Sequence, residues 1–129
     1  MQDKMPLGLK IILVFSILET AILMWEILNG TYNTTLFGLK LSKNFSLISH
    51  IITLGIFIAW IVSLIKRYSW GWKLFIAHNF FVITSGLVGV FTNSSLFQLL
   101  ARSIIFYMAL IIIIFMSYYV YRKRSYFNK

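Results

Sequence analysis

The chain is 129 residues long, 60% hydrophobic and only 12% charged, with a mean hydropathy of +0.85. A soluble domain of this length has too high a surface-to-volume ratio to hide that much apolar surface, so lipid is the expected apolar solvent. The formal net charge of +9 would suggest nucleic acid in a soluble protein. Here the basic residues gather at the ends of apolar runs, which points to the inner membrane face and anionic headgroups, with no nucleic-acid partner.

Residues 1–6 form a short polar start carrying Asp3 and Lys4. From Leu7 to Leu28 the sequence is almost continuously apolar, long enough to cross a hydrocarbon core of ~30 Å at ~1.5 Å per residue. The run is too long for a signal-peptide core, contains Glu19, and is followed by no small-x-small cleavage site, so it reads as a retained first helix. Asn29-Gly30 opens a polar loop to Asn44. Within it, the segment 36–41 is expected to rest on the outer interface.

A second helix is expected over 45–65. It ends at Lys66-Arg67-Tyr68-Ser69-Trp70-Gly71-Trp72-Lys73, a basic, aromatic turn of the kind found at the cytoplasmic headgroup level. The third helix is expected over 72–91, the turn Thr92-Asn93-Ser94-Ser95 follows, and the fourth covers 96–121. Tyr118, Tyr119 and Tyr121 then form an aromatic belt before Arg122-Lys123-Arg124.

The expected fold is thus one all-α membrane domain over residues 1–129: four transmembrane helices in an up-down antiparallel bundle. Lys4, Lys10, Lys66, Arg67, Lys73, Arg122, Lys123, Arg124 and Lys129 fall on one side of that plan. The positive-inside rule makes that side cytoplasmic, with both termini there. Four sequons, at Asn29, Asn33, Asn44 and Asn93, fall in the two outer loops. Polar turns favour Asn, Ser and Thr anyway, so they support the topology weakly.

Ionisable residues at membrane depth cost about 2.5–3.5 kcal/mol on insertion scales and usually face a bundle or cavity. The candidate intramembrane polar cluster is Glu19, Glu26, His50 and Arg102, with His78 and Asn79 as secondary candidates. Counting ~1.5 Å per residue, Glu19 lies about 18 Å from the inner face, His50 about 22 Å, and Glu26 and Arg102 both about 28 Å. Glu26 and Arg102 are therefore expected partners in an ion pair, most simply a structural one.

Glu19 and Glu26 share a helix face with His50 between them in depth, an arrangement suited to proton relay or cation binding. The blander alternative is a protonated Glu19 hydrogen-bonded to Thr53 or Ser85. His50 and His78 differ by about 13 Å in depth, which disfavours one haem bridging them. Gly55/Ala59 and Ser85/Gly89 are small-xxx-small pairs, read as packing within the subunit or, more sharply, as an oligomer interface. The fourth helix, with Ile111 to Ile114, is apolar all round and suits lipid or a partner.

There is no HExxH, no Gly-rich phosphate loop and no usefully placed Ser/His/Asp set. No catalytic, metal or cofactor residue is assigned. Gly71-Trp72-Lys73 at the third span and the Tyr121-Arg122…Tyr126-Phe127 ending give a layout that resembles small four-span integral membrane proteins of unknown function in prokaryotes. That resemblance implies no activity. Glu19 also resembles the membrane-embedded Glu in the first span of small multidrug transporters, and the likeness stops at that position.

The leading expectation is a non-catalytic accessory or structural subunit of a larger integral membrane complex. The alternative is a small homo-oligomeric, proton- or cation-coupled transporter or channel. A third is an intramembrane haem or quinone redox protein.

Overall fold

The computed structural model describes residues 4–92 and 104–127. It is all-α in character, with four helices among the described residues: α1 Leu7–Asn29, α2 Lys43–Lys66, α3 Gly71–Thr92 and α4 Ile104–Arg122. A two-stranded hairpin, β1 Thr35–Leu36 and β2 Leu39–Lys40, lies between α1 and α2, and a 3-10 turn at Arg124–Tyr126 follows α4. Among the described residues, α1 and α2 are long and apolar enough to cross a membrane.

Local chemistry explains where the helices stop. Pro6 precedes α1, where its missing N–H is no loss. Gly30 ends α1 in the left-handed region, and the amide of Thr31 returns to the Glu26 carbonyl at 3.1 Å in a Schellman closure. Arg67 ends α2 the same way at φ 63°, with the Tyr68 amide bonded to the Ser63 carbonyl at 3.0 Å. That closure lets Gly71 begin α3 only five residues after Lys66 ends α2.

Each helix packs on the next in sequence, and α4 also touches α1. Ser16 of α1 meets Trp60 near the end of α2, whereas Glu26 meets His50 near its start, so these two helices run antiparallel. The core sits at one end, where α1 begins and α2 ends. Leu9, Ile12, Trp60, Leu64, Phe75, Val120 and Phe127 are buried there. Trp60 lies between Phe75 and Phe127, with ring centroids at 4.4 and 5.7 Å. The 3-10 turn folds Phe127 back beneath the helices to complete this cluster.

Gly8 and Gly71 permit the closest approaches at this end. A Cβ at Gly8 would overlap the ring of Tyr119, and one at Gly71 would overlap the Ser63 side chain. Gly55 is different: it is exposed and has open space around it, so the Gly55/Ala59 pair is not a tight contact within the subunit. On α3, Ser85 and Gly89 are both buried.

At the other end, the segment expected to rest on the outer interface forms a hairpin. Leu36 pairs with Leu39, and the intervening Phe37 and Gly38 have φ 49° and 81°, the positive pair that a tight type I′ turn requires. Gly38 is buried. Phe37 packs edge-on against Phe81, and its amide donates to Ser85 Oγ at 3.0 Å. The hairpin is therefore docked onto α3. The expected turn at Asn93 and the start of the fourth helix lie outside the described residues.

Candidate functional site

Glu26 and His50 form the ionisable contact in the half of the bundle away from the core. Glu26 is in the last turn of α1, and His50 is two turns into α2. Antiparallel packing brings the carboxylate Oε2 to 3.0 Å from His50 Nε2. The imidazole is nearly buried, with 10% of its side chain accessible, whereas Glu26 keeps 36%.

The loop before α2 shapes the other side of the ring. His50 Nδ1 lies 2.9 Å from the Ser46 carbonyl, one helical turn earlier, and 3.1 Å from Thr34 Oγ1. A carbonyl can only accept, which assigns a proton to Nδ1. Nε2 faces Glu26 Oε2, so the imidazole links α1 to α2 through one nitrogen and reaches the loop and its own helix through the other.

Ser46 fixes this geometry. Its hydroxyl accepts the Thr34 amide at 3.2 Å while its own amide closes the first turn of α2 onto the Ser42 carbonyl at 2.8 Å. The Leu41 amide bonds the Thr34 carbonyl at 3.0 Å, closing the base of the hairpin. The Tyr32 ring is tilted 55° beside the imidazole, with centroids 6.0 Å apart, and Lys43 Nζ sits 5.9 Å from the Tyr32 ring. The chain thus folds the loop back over the histidine and hydrogen-bonds both of its nitrogens.

The other predicted residues are placed differently. Glu19 does not join the pair: it is exposed on α1, and among the described residues it has no hydrogen-bond or ion-pair partner. Phe15, Leu18 and Ile22 around it are also exposed. Its proposed partner Ser85 is occupied by the hairpin instead. The expected Glu26–Arg102 ion pair cannot be traced, because Arg102 lies outside the described residues.

His78 packs edge-on against Phe57 at 5.4 Å, well away from His50 along the bundle. Asn79 donates to Ser117 Oγ at 3.0 Å, and that hydroxyl donates to the Ile113 carbonyl at 2.8 Å, so Asn79 links α3 to α4.

Sequence reasoning missed Thr34, Ser46 and Tyr32. Ser46 had a usable signal, because it stands four residues before His50 and so shares its helix face. Thr34 and Tyr32 depend on how the loop folds back, which no spacing encodes. Glu26 and His50 supply one carboxylate and one imidazole, and among the described residues no group of three His, Asp or Glu side chains gathers to hold a metal. Comparison with protein-family models, curated proteins and solved structures returns no match.

Proposed function

We propose that this chain is a four-span membrane protein with both termini cytoplasmic, serving as a non-catalytic subunit of a larger integral membrane assembly. The observation that carries the reading is Glu19. It stands about 18 Å along a helix about 34 Å long, exposed among apolar side chains and without a described partner. A carboxyl group at that depth is costly against lipid, so a protein partner covering this face of α1 relieves a cost that lipid does not. The length of α3, 22 residues or about 33 Å, supports a third crossing.

Extraction from the native membrane in mild detergent, followed by native mass spectrometry, tests this. Co-migration with unlike subunits is expected, weakened by Glu19→Leu and retained by Glu19→Gln. A sharply defined monomer would overturn it.

The second reading, a small homo-oligomeric transporter coupled to protons or cations, is favoured by the 3.0 Å contact between Glu26 and His50, a carboxylate and an imidazole. It predicts that Glu26→Gln abolishes proton-coupled flux while assembly persists. Flux that survives the change removes it. No described contact favours the haem or quinone reading.

A further inference from the structure

Where α2 turns into α3, an open cavity of about 410 Å³ is lined by Ser69, Trp72, Lys73, Arg124, Ser125 and Phe127. That is far more room than the ~30 Å³ of one liquid water. Its polar lining offers an ammonium, a guanidinium and two hydroxyls, all of them hydrogen-bond donors. No described carboxylate side chain compensates the two cations. Glu26 is bonded to His50 at the opposite end of the bundle, and Glu19 stands in the middle of α1.

The cations rest on aromatic rings instead. Lys73 Nζ is 5.8 Å from the Trp72 ring and Arg124 Cζ is 4.5 Å from the Tyr121 ring. Contact with a π face orients a cation without neutralising it. Trp72 and Lys73 also belong to the first turn of α3, and their amides donate to no described acceptor, which adds the positive end of that helix to the same place.

We propose that this cavity is a phosphate-binding site that takes the headgroup of an anionic phospholipid in the inner leaflet. Donors of one charge sign beside an indole wall match a phosphodiester anion. Arg124 presents the planar fork that pairs with two phosphate oxygens, and Lys73 supplies a point charge. The lipid source rests on the membrane reading above, whereas the phosphate chemistry does not.

The test is lipid titration of the full-length purified protein, followed by native mass spectrometry with phosphatidylglycerol and phosphatidylcholine of matched chains. Wild type is expected to retain phosphatidylglycerol preferentially. Lys73→Gln with Arg124→Gln should weaken that retention about 25-fold, at about fivefold per cation. Lys4→Gln with Lys10→Gln, removing the same charge from in front of and within the first turn of α1, should leave it within about twofold.

Ser125→Glu is a single change at an exposed position that places a carboxylate in the cavity, and it should also abolish retention. Equal weakening by both double variants would mean diffuse attraction and overturn the proposal. So would no retention of either lipid together with no binding of inorganic phosphate.

If inorganic phosphate binds wild type but not the Lys73/Arg124 double variant, and phosphatidylglycerol is not retained, the site stands with a soluble phosphate as its ligand. Because the chain has no cysteine, Asn33→Cys and Lys123→Cys report topology separately in intact cells. Labelling of Lys123→Cys from outside would sink the membrane orientation while leaving the phosphate result intact.

Discussion

The indole N–H of Trp60 donates to Ser16 Oγ at 3.0 Å, with both side chains buried at the α1–α2 contact. Ser16 in turn donates to the Ile12 carbonyl at 2.9 Å, so its oxygen accepts one hydrogen bond while its proton makes another. Ser16→Ala leaves the indole N–H without its acceptor. The expected loss is about 0.6–2 kcal/mol, the range for interhelical hydrogen bonds in membranes and buried unpaired donors. Ser16→Thr should retain most of the stability. Unfolding in mixed detergent micelles measures both, and an unchanged midpoint for Ser16→Ala would show that the link contributes nothing.

The Glu26–His50 pair is half-exposed on the carboxylate side, which places it between a fully buried ion pair and a surface one. A double-mutant cycle with Glu26→Gln and His50→Gln should give a coupling of about 0.5–2 kcal/mol. Thr34→Val should weaken the site less, because Ser46 still holds Nδ1. A coupling indistinguishable from zero would reduce the pair to a solvated contact.

Two glycines give opposite expectations under the same substitution. Gly71→Ala drives a methyl into Ser63 and should cost about 1–3 kcal/mol, as overpacking does. Gly55→Ala meets open space in mid-helix and should be neutral or stabilising by up to about 1 kcal/mol. Thermal unfolding of the two variants side by side checks the pair. Loss of assembly in Gly55→Ala without loss of stability would instead mark Gly55 as a contact with another chain.

Phe127 is 1% exposed and packs on Trp60. Phe127→Ala should destabilise the protein by about 3–5 kcal/mol, the usual cost of emptying a buried aromatic site. Trp60 fluorescence should shift to the red as its ring meets water or headgroups. Phe127→Leu should recover much of the loss. A variant with native stability and emission would show that the last turn is not part of the core.

The helical class and the two long apolar helices were legible because continuous apolar runs ending in Asn-Gly or Lys-Arg leave the backbone little choice. Glu26 and His50 were legible as members of one polar cluster, but not as partners, since depth counting places His50 nearer Glu19 and matches Glu26 with Arg102. Glu19 was grouped with them because it lies two turns from Glu26 on nearly the same helix face, yet Glu26 meets His50 of α2 while Glu19 stays exposed.

The hairpin was not legible. Thr35 to Lys40 is short, and its turn depends on Phe37 taking a positive φ, which its residue type does not announce. The packed end around Trp60 was equally hidden, since its members come from every helix and no local pattern marks them.

The partners of Trp60 are drawn from Ser16, Phe75 and Phe127. Residues 124–127 are made after every described helix, so Phe127 is the last member to join this cluster. Until then one face of Trp60 has no permanent neighbour, and the α1–α2 hairpin is held at that end by the Ser16 link and its flanking aliphatic contacts. Closure of this end therefore waits on the turn at Arg124–Tyr126 and the residue that follows it. A chain truncated shortly before residue 127 would keep the sequence of all four described helices but leave the Trp60 cluster open on one side.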